Sequence, residues 1–107
     1  MRRTVADLKI EHQISPQPPR VGRVAIALKV TDVSGKPVTG ARIRLEGDMS
    51  HAGMTPVFAE AQETGDGTYR ASLELSMAGD WVVVVRAVLP DGRQSERQFE
   101  INGVAPE

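Results

Sequence analysis

Apolar and polar residues alternate most regularly between Gly22 and Thr31, where Val24, Ile26, Leu28 and Val30 are separated by Arg23, Ala25, Ala27 and Lys29. A period of two places each set on one face of an extended strand, so one face is buried and the other is not. The same pattern predicts a strand over Thr4 to Ile14, with Leu8, Ile10 and Ile14 on one face and His12 on that same apolar side. His12 is read there as a hydrogen-bonded core or rim residue. A third strand runs from about Ala41 to Glu46, with Ala41, Ile43 and Leu45 inward and Arg42, Arg44 and Glu46 outward. Shorter strands follow over Val57 to Gln62 and over Thr68 to Leu75, the latter with Tyr69, Ala71, Leu73 and Leu75 inward. Trp81 to Val88 is an apolar run with four consecutive valines, which predicts a central strand buried on most of both faces. Gln94 to Ile101 is the last strand, and Asn102 to Glu107 a tail.

The breaks between these stretches have turn chemistry. Ser15-Pro16-Gln17-Pro18-Pro19-Arg20 withholds three ladder donors and predicts a crossover between sheets or an edge segment. Asp32-Val33-Ser34-Gly35-Lys36-Pro37, Thr64-Gly65-Asp66-Gly67 and Pro90-Asp91-Gly92 are turns of the kind that joins strands. No helix-period stretch with caps is present. Seven short, regularly spaced strands predict an all-β fold, an immunoglobulin-like antiparallel Greek-key β-sandwich, with an open barrel of equal strand count as the alternative. At 107 residues this is a single domain over 1–107, with loose termini at 1–3 and 102–107.

Composition narrows the function more than the fold. Thirteen Lys and Arg against fourteen Asp and Glu leave a net charge of -1, and the basic residues are scattered, so no nucleic-acid partner is expected. No apolar run is long enough to span a bilayer. Met1-Arg2-Arg3-Thr4 leads directly into Asp7, Lys9 and Glu11, which is not a signal peptide. The chain is therefore read either as cytosolic or as following a removed signal or anchor.

The chemistry lies between the third and fourth strands. Gly47-Asp48-Met49-Ser50-His51-Ala52-Gly53-Met54-Thr55-Pro56 places two thioethers and an imidazole within six residues, in a segment read as a loop. Soft sulfur with imidazole nitrogen suits Cu(I), which accepts low coordination numbers, and no cysteine competes. Met77 sits in a second turn, Ser76-Met77-Ala78-Gly79-Asp80, which strand reversals place at the same end of the sandwich. Met49, His51, Met54 and Met77 are thus the candidate metal ligands, read as lying outside the strands. A neutral donor set favours Cu(I) over Zn(II), with Cu(II) held weakly unless His12 or an acidic neighbour such as Asp48 joins. The competing reading is that these methionines close the end of the core or form an adaptable apolar contact surface for a partner protein. Trp81 is read as the core plug, with a cation–π cover for the cuprous ion as the lesser alternative. Tyr69 is read as a corner tyrosine.

No enzyme is expected. Ser50 and His51 are chain neighbours, which points their side chains apart, and two histidines alone do not make a catalytic zinc site.

Four stretches resemble a known family: Gly35-Lys36-Pro37-Val38, Ile43-Arg44-Leu45 with the Met/His segment after it, Gly65-Asp66-Gly67-Thr68-Tyr69, and Met77-Ala78-Gly79-Asp80-Trp81-Val82-Val83-Val84. Over roughly residues 24 to 90 the pattern resembles the YtkA-like/FixH-type domain. The resemblance implies an immunoglobulin-like domain, periplasmic or extracellular, often membrane-anchored in the full-length protein. It further implies an association with copper handling, and a membrane, respiratory or efflux protein as partner.

Overall fold

The computed structural model describes residues 7–49 and 55–106. Seven antiparallel strands make up the fold: β1 Lys9–Ser15, β2 Gly22–Thr31, β3 Arg42–Met49, β4 Val57–Gly65, β5 Thr68–Leu75, β6 Gly79–Val88 and β7 Gln94–Val104. Hydrogen bonding orders them β1-β2-β5-β4-β3-β6-β7. Strand β4 belongs to both layers of the sandwich. Its first half pairs with β3, from Gly47↔Val57 to Ile43↔Ala61, and its second half pairs with β5, from Gln62↔Arg70 to Gly65↔Thr68, across a bulge. The change of partner falls between Ala61 and Gln62, and the bulge follows it, between Glu63 and Gly65.

The alternation read from the sequence is the alternation of burial. Val24, Ile26, Leu28 and Val30 from β2, Leu73 and Leu75 from β5, Ile43 and Leu45 from β3, and Val83 and Val85 from β6 fill one apolar core. Burying such side chains, at about 1.5–3 kcal/mol each, is what holds two sheet layers together.

The two ends of the strand order, at β1 and β7, meet through side chains. The guanidinium of Arg97 donates to the Leu8 carbonyl at 2.9 Å, and His12 stacks on Phe99 with ring centroids 3.8 Å apart. The proline segment completes this seam: Val21 N–H donates to the Ala105 carbonyl at 2.8 Å, and Ala105 N–H to the Pro19 carbonyl at 3.0 Å. It is an edge segment and not a crossover, because β1 and β2 pair in one layer.

Four features stand out against the sequence reading, besides β4 running on to Gly65 and β6 beginning at Gly79. Among the described residues β1 begins at Lys9, although Leu8 before it is buried. Strand β7 continues through Asn102 and Gly103 to Val104, which pairs with Gly79 and is buried. On β6 only the face of Trp81, Val83, Val85 and Ala87 is buried; Val82 and Val84 are half-buried, and Arg86 and Val88 are exposed. Among the described residues no third layer covers that second face.

The fourth difference is that β3 runs on through Gly47 and Asp48 to Met49. Gly47 reads as a loop breaker, yet a Cβ there would lie 3.0 Å from Val57 Cγ2 and 3.6 Å from the Trp81 ring. The glycine is the inward position over which the indole lies.

Candidate functional site

The end of the sandwich where β3 finishes and β6 begins carries the soft donors. Met49 pairs across the ladder with Trp81, so the chain entering 50–54 starts beside the turn that carries Met77. Trp81 is buried, and its indole N–H donates to the Met77 carbonyl at 2.9 Å. One residue therefore fills the core and also pins the backbone of the second turn. This is the core plug expected from the sequence, with the indole's polar edge satisfied.

The two methionines at this end are not equivalent. Met49 is 9% exposed and belongs to the core, whereas Met77 is 46% exposed. Placing Met49 in a loop is thus corrected: it is the last inward residue of β3. Its methyl fills the space above Gly79, where a Cβ would lie 3.0 Å from Met49 Cε, and Gly79 also has φ +128°, a conformation that favours glycine. Met77 does lie outside the strands, as expected. His51 and Met54 lie outside the described residues.

Neither supplementary donor expected for Cu(II) joins Met49. Asp48 precedes it on β3, so its side chain is on the opposite, outer face. There its carboxyl is held above the usual range, first by partial burial and then by the neighbouring Glu46, whereas Arg86 holds the Glu46 carboxyl below its usual range. His12 is occupied at the β1/β7 seam by Phe99, and its imidazole is held below its usual pKa by burial. It is a rim residue, stacked where a hydrogen bond was expected. Among the described residues no three His, Cys, Asp or Glu side chains gather as metal ligands. Any soft-metal site at this end rests on thioethers and on residues 50–54.

The opposite end of β3 is closed by polar bonds. The buried Tyr69 donates its hydroxyl to the Val38 carbonyl at 2.8 Å and accepts from Ala41 N–H at 3.1 Å, which makes it the corner tyrosine that the sequence predicts. Gly67, at φ +75°, packs against Pro37, where a Cβ would approach within 2.6 Å.

Sequence reasoning missed the outer face of the β4-β3-β6-β7 layer. Reading Asp48 as part of a loop hides the full outward row of β3: Arg42, Arg44, Glu46 and Asp48. Phe58, 52% exposed, lies on the same face with the Arg44 guanidinium 5.0 Å above its ring. The signal was available in the alternation from Arg42 to Glu46, which already faced outward.

No curated protein matches the chain. Several solved structures are similar in fold, among them these three. The chain resembles part of MtrC from Shewanella baltica OS185, at TM-score 0.57 and 17% identity over 92% of this chain and 22% of that one. It therefore spans about a fifth of MtrC. The superoxide reductase (neelaredoxin) from Ignicoccus hospitalis gives TM-score 0.57 and 14% identity over 95% and 81% of the two chains. Murine CRIg gives TM-score 0.51 and 12% identity over 94% and 98%. At these identities the likeness establishes a shared β-sandwich fold and nothing of activity. The sequence profile of the YtkA-like family matches residues 2–86, which takes in β1 to β5 and most of β6 with both methionine-bearing segments. The chain belongs to the YtkA-like family.

Proposed function

We propose that this chain is a non-enzymatic, extracytoplasmic copper accessory domain that takes Cu(I) at the Met49/Met77 end. One observation carries the reading: the Met49↔Trp81 register and the indole bond to Met77 bring the root of the Met/His segment beside an exposed thioether. The donor set fits the ion. Thioether and imidazole are neutral, soft ligands, suited to a singly charged cuprous ion and poor for hard divalent ions. Met49, His51, Met54 and Met77 would hold it. The bound ion would supply no chemistry beyond its own transfer to a respiratory or efflux partner at a membrane. The copper association implied by the family resemblance points the same way.

The reading is tested by titrating the reduced protein with Cu(I) against a competing chelator. Met77→Ile is expected to weaken binding at least about tenfold, a loss typical even of outer positions around a metal. His51→Ala should weaken it too, and Zn(II) should bind far less tightly. Unchanged cuprous affinity in a Met54→Ile/Met77→Ile double variant would sink the assignment. The exposure of Met77 favours the second reading, an adaptable apolar contact for a partner protein. Partner capture that persists with chelator present and fails in Met77→Ala would establish it.

A further inference from the structure

The outer face of the β4-β3-β6-β7 layer is arranged in cross-strand rows. Nearest the methionine end, Asp48, Val82 and Glu100 lie side by side; next come Phe58, Glu46, Val84 and Gln98. Then follow Glu60, Arg44, Arg86 and Glu96, and last Arg42, Val88 and Gln94. The row at the methionine end carries two carboxylates and no cation, and the row at the far end carries a cation and no carboxylate. Along β3 the order is Arg42, Arg44, Glu46, Asp48: two positive charges followed by two negative ones.

Such a strip is its own complement when reversed. A two-fold axis lying between two copies and running across the strands reverses strand direction while keeping β3 over β3 and β6 over β6. Arg42 then meets Asp48 of the second copy, Arg44 meets its Glu46, and each pairing occurs twice, as an isologous interface requires. Val82 comes over Val88 of the second copy. The other face-to-face arrangement, with the axis along the strands, sets like charges opposite one another and is disfavoured.

The pairings within one chain leave both ends of the strip unmatched. Arg86 is held by Glu46 and Glu96, each at 2.9 Å, but neither Arg42 nor Asp48 forms an ion pair with another described residue. Asp48 is half-buried, with no cation paired to it among the described residues. Phe58 and Val88 are among the few large apolar side chains left exposed, and Val82 and Val84 are half-buried in the same face.

We infer that this face binds a second copy of the same chain, forming a weak antiparallel dimer in which Arg42 pairs with Asp48 and Arg44 with Glu46 across a strip of valines. The inference is independent of copper. Four strands about 4.8 Å apart and seven residues of about 3.4 Å rise give a face of roughly 20 by 24 Å. That is below the about 800 Å² per partner of a standard interface, so the dimer dissociates readily.

Sedimentation velocity of the metal-free protein from roughly 10 µM to 1 mM spans the range of such an interface. The expected result is a concentration-dependent monomer–dimer equilibrium that weakens as salt is raised. Arg42→Glu and Asp48→Lys each set like charges opposite one another twice, and each should raise the dissociation constant about tenfold or more. An equimolar mixture of the two variants restores both attractive pairs and should dimerise like the unaltered protein. Circular dichroism of each variant verifies that the fold is kept. A chain that stays monomeric throughout overturns the inference and leaves the face to a different partner. So does a dimer indifferent to both substitutions, or a mixture that does not regain association.

Discussion

The two ends of β3 close the same sandwich by opposite means. At the Ala41 end the Tyr69 hydroxyl bonds two backbone groups from the Val38–Ala41 turn, and Gly67 packs against Pro37. Every polar group named there has a partner, so that corner resists rearrangement. At the Met49 end the contacts are apolar: Met49 over Gly79, and Trp81 over Gly47. Its polar ties among the described residues include the indole bond to Met77 and the Gly103 N–H bond to the Asp80 carboxylate at 2.8 Å. Thioether sulfur is a weak hydrogen-bond acceptor, so a methionine exposed there remains available to a soft ligand or a partner. One end is a brace and the other is where binding chemistry is possible.

The largest expected effect separates the two methionines. Met49→Ala removes a core side chain and should cost about 2–5 kcal/mol, whereas Met77→Ala, at an exposed turn, should stay within about 0.5 kcal/mol. Denaturant unfolding of both variants measures the gap. Equal losses would mean that the two side chains share one environment, against the burial difference on which their separate roles rest.

Tyr69→Phe should cost less, about 1–3 kcal/mol, because it strands the Val38 carbonyl and the Ala41 N–H without disturbing the ring packing. The same hydroxyl gives the brace a pH limit. Burial holds the Tyr69 phenol above its ordinary value. Its contribution is therefore complete below the unfolded phenol's pKa and is lost as pH rises through the folded one. The unaltered protein should lose stability at alkaline pH more steeply than Tyr69→Phe; parallel profiles would remove the corner from the account.

The smallest effect is expected from Asp48→Asn. The raised carboxyl pKa means that ionised Asp48 opposes folding at neutral pH, an opposition relieved as pH falls through the folded value. At a protein concentration too low for the proposed dimer to form, the variant should melt slightly higher than the unaltered protein at pH 7 and equally in acid. A lower melting temperature at pH 7 would mean that Asp48 has a cation partner within its own chain.

Strand number, strand faces and the corner tyrosine were legible in the sequence because they depend on local periodicity and turn residues. Alternation from Val24 to Val30 states which side is inward whatever the partner strand is. The shared end of the two methionine segments followed from strand reversals and is seen in the Met49↔Trp81 register. Less legible were the strand ends. Gly47, Gly79 and Gly103 read as breakers, yet all three lie within strands.

By itself, then, the chain determined an all-β sandwich, its buried faces and the clustering of soft donors along the sequence. Tertiary structure decided that Met49 is core and Met77 is not, because only the packing of Trp81 and Gly79 shows which thioether is covered. It likewise decided that Asp48 belongs to β3, which completes the two-positive, two-negative strip. Both decisions hang on register between strands distant in sequence, and register is set by which side chains fit together across the core.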